Sequence, residues 1–597
     1  MFLHTQPKKR GNKLYTYYSL ARAFRIGKRS KIEIIYRFGA LPPEKAEKIR
    51  IFLKYLESDP KNLIVTMFEN IIFEKHWSYL DFAVLNHFWE KWELSSIFDD
   101  KNPRIKISTV NMAKILTFNR CLNPTSKLGV ASRWYPTTSG GHILGISHEE
   151  INDDSVYRSL VRIESHKEDI EKHLFDKLSQ NDPGSLKVVF YDLATSYFEG
   201  THCLLAKPGI AKEDGFKPKK IILSLLVNEK GYPFSWQILE GDVTEVSTLK
   251  ERIDYCRDKF GVTNITFVFD RGIVSEENLQ YIDCNHYKYI TALDKNQISE
   301  VKGIELERFK DFSDTNFEKQ IKSKNEFKQY DELLYYQDLG VNSGKRYILG
   351  FNPRLFKEER ENRQQKIERA LQYLKETNIF LSQSKRNRKY STVNSQIEDG
   401  LKKYKVAKYI DYTLKPIKIK EPGKSKEIDS FEIEHYVQEQ EIKRDQLLDG
   451  LCVFISNHIE KENDKFIFTA EQIIAAYRDK NRIEDAFKHI SSFIQFRPVY
   501  VFKEEHVNAH YTICVLSYLL NITITNILRE QKEFQIKSAS SAYFILGQCR
   551  AGRISITDSN RTGIKINPLS SMQTKLLKIL GCSYLVSKDY LKQIGLK

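Results

Sequence analysis

The chain has 597 residues, with 94 lysines and arginines against 78 aspartates and glutamates, a net charge of +16 and a pI near 9.1. This length predicts roughly three or four domains, and the basic balance favours a polyanionic partner, nucleic acid before a membrane surface. The eight cysteines contain no C-x-x-C pair, and no apolar signal core opens the chain, so we expect a reduced, cytoplasmic protein without a disulfide framework or zinc site.

The N-terminal region, residues 1–180, is predicted to be mainly helical. Residues 12–40 alternate aromatic and basic side chains, which predicts short strands, and a helix is expected after Pro43. The helical pattern then runs to about residue 180, with a break at 135–145. No helix-turn-helix signature stands out in this region, which we expect to be a DNA-binding or accessory part of the protein.

Residues 181–300 are predicted to contain a run of strands. The apolar stretches 187–192, 221–228, 234–241, 265–270 and 287–293 are strand-like, and a helix is predicted at 275–283. The turn sequence NEKGYP between the second and third stretches predicts a hairpin. The pattern is typical of a sheet with helices, an α/β fold.

Four further segments complete the chain. Residues 301–445 are strongly charged, include a predicted long helix at 354–376, and are interpreted as an inserted domain. Strand character returns at DGLCVFISN, so 446–530 is assigned to the same core as 181–300. The apolar helix within 501–530 carries Ser, Asn and Thr and is expected to be a buried core helix, not a membrane span. Residues 531–597 are predicted to be a small helical tail.

Two of the predicted strands end alike, in VVFYD at Asp192 and FVFD at Asp270. Carboxylates projecting from neighbouring strands repel each other unless a cation lies between them. Hard divalent cations such as Mg²⁺ prefer oxygen ligands of this kind. For a single strand-end aspartate considered alone, a simple turn cap is the preferred interpretation.

A third acid is available on the helix predicted within AAYRDKNRIEDAFKHI. Tyr477, Lys480, Glu484, Lys488 and Ser491 are separated by three or four residues and therefore share one side of a helix. Glu484 lies at the edge of the apolar stripe and can face a sheet. The spacing alone is also compatible with an ordinary ladder of exposed salt bridges.

Several segments, in this order, resemble those of the DDE transposases of bacterial and archaeal insertion sequences. They are RCLNPTSKLGVASRW, YDLATSYFEG, GYPFSWQILEGDVTE, FVFDRGIVSEENL, YKYITALDK, DGLCVFISN, YRDKNRIEDAFKHI and FRPVYVFKEEHVNAHYTICVLSYLL. The transposase group that the chain resembles most carries a Tyr-x2-Arg-x3-Glu-x6-Lys signature around the third acid. The resemblance spans roughly residues 110–530.

The resemblance implies an RNase H-like mixed sheet flanked by helices and interrupted by the insertion. It implies that Asp192, Asp270 and Glu484 are the catalytic residues and bind two Mg²⁺ ions, with Mn²⁺ as a substitute. It also implies a double-stranded DNA partner, both element ends and target, and a homodimer in the DNA complex. The separation between Asp270 and Glu484 is long because the insertion lies between them.

The chain departs from the signature at Lys480, where the group has Arg, and at Ser491, where it has Lys. Lys488, one turn earlier, is the candidate that replaces the missing charge. Lysine is a point charge, so a phosphate contact made by it differs from the forked contact of arginine. Tyr477 matches the signature. The candidate DNA contacts are Arg271, Tyr477, Lys480, Lys488, Lys217, Lys219 and Lys220, with structural ion pairs or solvated surface as the alternative for Arg271 and the three lysines.

The predicted function is a DNA transposase that binds the terminal inverted repeats of its element, cleaves there and joins the ends to target DNA. Water attacks a phosphodiester first, and the freed 3′-hydroxyl then attacks the target, without a covalent protein intermediate. The alternatives are an RNase H-like nuclease without strand transfer and a domesticated DNA-binding protein that no longer cuts. We expect a cytoplasmic prokaryotic protein, associated with the nucleoid when bound to DNA, and no membrane partner.

Overall fold

The computed structural model describes residues 1–597 except 12, 28, 56–65, 101–104, 199–201, 209–218, 244, 262–264, 310–326, 421–426, 481–482, 485–487, 489–500, 558–560 and 597. The chain divides into two compact units. The first unit contains residues 1–76, 551–565 and 597, and the second contains 77–550 and 566–596.

The first unit is built on an antiparallel sheet of three strands in the order β1-β2-β3: β1 Phe2–Arg10, β2 Lys13–Ile26 and β3 Arg29–Ala40. The helix Pro43–Tyr55 covers part of this sheet, and together they bury Leu3, Tyr18, Ala46 and Leu53. Most of a second sheet, in the order β20-β19-β4, also lies in this unit: β4 Ile71–Ser78, β19 Arg550–Ile556 and β20 Arg561–Ile566.

The second unit is organised around a ten-stranded mixed sheet. Its strands β5 to β10 are Val188–Tyr197, Lys207–Pro208, Lys219–Asn228, Pro233–Glu240, Thr266–Phe269 and Lys288–Ala292. β7 pairs antiparallel with β5 and with β8, whereas β5, β9 and β10 run parallel to one another. The resulting order β8-β7-β5-β9-β10, three antiparallel strands followed by two parallel ones, is the arrangement of an RNase H-like core. This part of the fold prediction is confirmed.

The region between β10 and β16 (Leu451–Ser456) forms two parts: an extension of the central sheet and a substructure with its own core. Its first strands, β11 Lys328–Asp331, β12 Leu334–Asn342 and β13 Lys345–Phe351, extend the central sheet through β16. The helices Pro353–Ser382 and Tyr390–Tyr404 and the hairpin of β14 Ile410–Lys420 and β15 Glu427–Val437 instead enclose a core of their own. The predicted long helix is confirmed as Pro353–Ser382. The strands that precede it join the central sheet through the pairing of β13 with β16, which no local sequence pattern indicated.

Helices surround the sheet. The remaining α-helices of the described chain are Leu80–Lys91, Thr109–Leu122, Lys127–Gly129, Gly140–Leu144, Asp153–Ser165, Lys167–Asn181, Glu245–Phe260, Glu276–Cys284, Lys295–Ile298, Glu439–Gln446, Ala470–Asp479, Glu504–Glu530, Ala539–Leu546, Ser571–Ile579 and Lys588–Gln593. Two short strands, β17 Lys461–Glu462 and β18 Lys465–Phe466, form a separate pair. The C-terminal tail thus contains helices as predicted, but also the hairpin β19–β20, whose partner β4 lies almost five hundred residues earlier in the chain.

The helix Glu504–Glu530 is the one described helix long and apolar enough to cross a membrane, yet 83% of its most apolar window is buried inside the protein. It packs against the helices Thr109–Leu122 and Asp153–Ser165 and against β8. The Trp236 indole of β8 donates a hydrogen bond of 3.2 Å to Thr512 on this helix. The helix therefore serves as core, as its interspersed Ser, Asn and Thr predicted.

A fully buried acid, Glu171, fastens the helix Lys167–Asn181 to the sheet. One carboxylate oxygen accepts hydrogen bonds from the Ser235 hydroxyl at 3.0 Å and the Trp236 backbone N–H at 2.8 Å. The other accepts from the Tyr255 hydroxyl at 2.5 Å and pairs with Lys167 at 3.1 Å. Burial of a charged group is tolerated here because each carboxylate oxygen has two donors.

Candidate active site

Asp192 lies within β5, not at its end. The strand continues to Tyr197 because β7 pairs with it from Val189 to Tyr197, with Asp192 opposite Leu225. The prediction that the strand ends at Asp192 is therefore wrong. What ends there is the pairing with β9, whose last register pair is Tyr191 with Phe269. Asp192 is thus the first residue of β5 beyond its parallel neighbour.

Asp270 does follow the last residue of its strand, Phe269, as predicted. Its Oδ1 accepts a hydrogen bond of 2.8 Å from the Arg271 backbone N–H and so caps the short 3-10 turn Arg271–Ile273. Asp270 can cap this turn and belong to an acidic cluster at the same time. Asp192 and Asp270 each come directly after a member of the last β5–β9 pair. Since neighbouring strands lie about 4.8 Å apart, the two aspartates are neighbours at this edge of the sheet.

The third acid, Glu484, follows a helix whose start is fixed by a capping box. The Thr469 hydroxyl accepts from the Gln472 N–H at 3.2 Å, and the Gln472 side chain accepts from the Thr469 N–H at 2.7 Å. This helix ends at Asp479, and Ile483 and Glu484 are again helical. Ile483 is fully buried and Glu484 is exposed, so the local register turns Glu484 out of the core.

Lys480 joins two of the acids. Its ammonium nitrogen lies 3.2 Å from Asp270 Oδ1 and 3.0 Å from Glu484 Oε1, and the residue is only 6% exposed. The Tyr477 hydroxyl donates to Asp270 Oδ1 at 3.4 Å. The predicted stripe of Tyr477, Lys480 and Glu484 therefore does face the sheet, through Asp270.

The pKa values follow from this crowding. Burial raises the pKa of Asp192 to about 6, against the opposing pull of the Leu193 N–H and the Lys480 ammonium and with the help of Asp270 and Glu484. Burial also acts to raise the pKa of Asp270, but Lys480 and the Arg271 N–H outweigh it and hold that pKa below its usual value. Burial acts to lower the pKa of Lys480, and Asp270 and Glu484 raise it nonetheless. One ammonium thus lies among three carboxylates and neutralises only part of their charge.

The donor set suits a hard divalent cation. Among the residues that the structure describes, no three His, Cys, Asp or Glu side chains are already placed to hold a metal ion. Instead, two carboxylates converge on the positively charged nitrogen of Lys480. Three carboxylates from three elements offer the oxygen ligands that Mg²⁺ and Mn²⁺ take, and the Asp270 and Glu484 side chains are about half exposed and open to solvent.

The other predicted DNA contacts are scattered. Arg271 is exposed and its Nε lies 3.3 Å from Asp294, while Lys488 is exposed one turn beyond Glu484. Lys219 and Lys220 are half-buried at the start of β7, five or more register positions from Leu225, the partner of Asp192. The structure therefore does not gather these two lysines around the acids. Lys217 and Ser491 lie outside the described residues.

One residue near the site was not predicted. Asp294 lies two residues after the end of β10, the parallel strand next to β9, and forms an ion pair with Arg271. Its place after a strand is comparable to that of Asp270 after β9. The signal for it was present in YITALD, where an acid comes two residues after an apolar strand. Lys480 was predicted as a DNA contact, but its described partners are the acids themselves.

The strand order and the acids at its parallel edge place the chain in the class of RNase H-like proteins. The transposase DDE domain family matches residues 206–520, more than half of the chain. The chain belongs to this family of DNA transposases. The matched stretch includes Asp270 and Glu484, and Asp192 precedes it.

No curated protein matches the chain. Among solved structures it is similar to the piggyBac transposase synaptic complex with hairpin DNA, at 9% identity and a TM-score of 0.32, covering 78% of this chain and 79% of that one. It is also similar to the Mos1 transposase paired-end complex with the left transposon end, at 13% identity and a TM-score of 0.14, covering 42% and 68%. At these values the similarity defines neither substrate nor chemistry.

Proposed function

We propose that the chain binds the terminal inverted repeats of an insertion sequence, cleaves the DNA there and joins the freed ends to target DNA. The observation that carries this is the convergence of Asp270 and Glu484 on one buried cation beside Asp192, in a member of the DDE transposase family. Handling both ends together calls for a homodimer on double-stranded DNA. The expected setting is the prokaryotic cytoplasm, on the nucleoid.

Asp192, Asp270 and Glu484 would hold two Mg²⁺ ions, with Mn²⁺ as a substitute. When bound, such ions activate the attacking oxygen and stabilise the leaving oxygen of a phosphodiester. The protein fixes the ligands: pairing with β7 holds Asp192 in mid-strand, and the Arg271 N–H and Tyr477 hydroxyl orient Asp270. Tyr477 and Lys480 act here as positioning residues.

Arg271 and Lys488 are exposed near these acids and are proposed to contact the DNA backbone. Their charges are compatible with phosphate contacts, which hold a duplex in place without reading its sequence. Recognition of the terminal repeats is assigned to the N-terminal part of the chain.

The test compares the wild type with Asp192→Asn, Asp270→Asn and Glu484→Gln on end-repeat DNA, with Mg²⁺, with Mn²⁺ and with EDTA. Each substitution should lower the rate of nicking and of end joining on the order of 10³-fold, since metal-bound charge stabilisation is worth several kcal/mol. The matched control is Asp294→Asn, an exposed acid after the next parallel strand that is not a proposed ligand. Metal-dependent nicking that persists in all three variants would contradict the mechanism, and nicking without joining would favour the nuclease alternative.

A further inference from the structure

The positive charge of the protein is concentrated in its first unit. This unit of 92 residues carries 20 lysines and arginines against 8 acids, a net charge of +12 out of the total of +16. The second unit, with more than five times as many residues, carries the remaining +4. A charge so unevenly divided is the electrostatic footprint of a surface that meets a polyanion.

Within this unit, β2 and β3 extend beyond the rest of their sheet. β1 pairs with β2 only as far as Phe2 opposite Ala21. From Arg22 to Glu33 the chain is a two-stranded ribbon, with Arg22 opposite Glu33 and Ile26 opposite Arg29 at its end. Every described residue of the ribbon is exposed, so neither of its faces is covered by the helix Pro43–Tyr55.

The ribbon is basic and carries apolar side chains between its charges. Residues 22–33 contain five lysines and arginines and one acid, Glu33, which pairs with Arg22 at 2.6 Å. Phe24, Ile26 and Ile32 are 41%, 56% and 50% exposed. An exposed ion pair contributes little to stability, so the composition of the ribbon is explained better by a partner than by folding.

The dimensions suit duplex DNA. Five residue pairs at about 3.4 Å each give a ribbon about 17 Å long. Its end is narrow because Gly27, next to the last pair Ile26–Arg29, adopts φ +61°. The major groove of B-DNA admits a two-stranded β-ribbon of this kind. Basic side chains then reach the phosphates, and Phe24, Ile26 and Ile32 can contact base edges such as thymine methyl groups.

We propose that the ribbon Arg22–Glu33 inserts into the major groove of the DNA on which the transposase acts. The inference rests on the proposed function for the identity of that DNA, but not for the binding itself. It assigns DNA recognition to a β-ribbon within residues 12–40, where the alternation of aromatic and basic side chains predicted short strands.

The main test measures binding without cleavage. The full chain with Asp192→Asn, in EDTA, is titrated against a fluorescent duplex of about 30 base pairs at several salt concentrations. Replacing Arg25, Arg29 and Lys31 by Gln should weaken binding at least tenfold and lower the slope of log K against log salt by up to about 2.7, about 0.9 for each lost phosphate contact. The matched control replaces three exposed lysines of the second unit, Lys578, Lys588 and Lys592, by Gln.

A second variant removes the ribbon while keeping the core of the first unit. Residues 23–32 are replaced by Asn-Gly, the turn preferred between directly paired residues such as Arg22 and Glu33. Leu3, Tyr18, Ala46 and Leu53 are untouched, so circular dichroism and the melting temperature should stay close to the wild type while DNA binding falls as in the triple variant. Binding and salt slope equal to the wild type in both variants would overturn the inference, as would an equal loss in the lysine control.

Position is tested by cleavage from a tethered iron chelate at Ser30→Cys, with the exposed Cys284 replaced by Ser. Insertion predicts cuts on both strands across one major groove of end-repeat DNA, and cuts scattered along the duplex overturn it. Vesicles of phosphatidylserine and phosphatidylcholine should not compete, and binding to them with equal affinity would also overturn it. Ribbon-dependent DNA binding without any metal-dependent cleavage by the wild type would support this inference while contradicting the proposed function.

Discussion

Two charged clusters of the second unit resemble each other in composition and differ in balance. At Glu171, one buried carboxylate receives four donors, from Lys167, Ser235, Trp236 and Tyr255. At Lys480, one buried ammonium meets two carboxylates, with Asp192 close enough to raise the total to three. The first cluster is electrically balanced and every oxygen is satisfied. The second keeps an excess of negative charge when all three acids are ionised.

This difference separates a structural cluster from a candidate active site. A buried acid with a full set of donors fixes packing and has no further need of a ligand. A group of acids that one internal cation only partly neutralises attracts further positive charge. Burial and residue type are shared by both clusters, so the count of charges and donors is what distinguishes them.

The largest effect is expected at the balanced cluster. Glu171→Gln should lower the free energy of unfolding by about 3–5 kcal/mol, because it removes the counter-charge of the partly buried Lys167 and the buried carboxylate that accepts from four donors. Guanidinium unfolding followed by tryptophan fluorescence measures the loss. Cleavage per folded molecule should stay at the wild-type level. A loss under about 1 kcal/mol would show that this cluster contributes less to stability than its complete bonding indicates.

A pH dependence is expected next to that cluster. Burial raises the pKa of Glu164 to about 7, although Lys167 and the Thr512 hydroxyl oppose it. The folded protein therefore binds this proton more tightly than the unfolded chain, so the free energy of unfolding should fall as pH rises from about 4.5 to about 7. The fall is at most about 3 kcal/mol. Glu164→Gln should remove it, whereas Glu149→Gln, on an exposed turn, should not. Parallel stability curves for the wild type and Glu164→Gln would contradict this.

At the unbalanced cluster, we expect stability to depend on an added cation. Lys480→Met in EDTA should lower the free energy of unfolding by about 1–2 kcal/mol, less than at Glu171 because Asp270 and Glu484 are half exposed. Mg²⁺ should then raise the melting temperature more in the variant than in the wild type. Lys488→Met, an exposed lysine one turn further along, is the control. A variant that is stable in EDTA and unresponsive to Mg²⁺ would remove the distinction between the clusters.

The smallest effect is expected at the cap of the helix that carries Tyr477. Thr469→Ala should cost about 1 kcal/mol of stability and also slow cleavage, because it loosens the helix leading to Lys480. Ser570→Ala removes an equivalent capping box from the helix Ser571–Ile579 and should cost the same without slowing cleavage. Equal activity in the two variants, measured per folded molecule, would show that the helix start does not position the site.

Local signals in the sequence predicted much of the fold and site. The turn NEKGYP predicted the hairpin β7–β8, and the pattern of residues 354–376 predicted the helix that the structure shows as Pro353–Ser382. The acid after FVFD does follow a strand, and the spacing of Tyr477, Lys480 and Glu484 does place them on one side. Each of these features is decided within a few residues of chain, which is why pattern alone was sufficient.

The remaining features depend on long-range pairing. The stretch LATSY continues β5 only because β7 lies beside it, and β11–β13 join the central sheet only because β16 accepts them. The hairpin β19–β20 is completed by β4 from the other end of the chain. The burial of Lys480 likewise requires Asp270, which is more than two hundred residues away. In each of these contacts the two partners are far apart in the sequence, so no short segment contains both of them and local patterns could not predict the contact.

The mid-strand location of Asp192 has a consequence for how the chain tolerates changes in length. Side chains of a strand alternate between its two faces, so a one-residue insertion or deletion between Val188 and Asp192 sends the carboxylate to the opposite face. Pairing with β7 on both sides of Asp192 prevents a local rearrangement from restoring it. Substitutions at Leu193 or Ala194 should therefore have graded effects, while a single-residue gap in this strand abolishes the site at once.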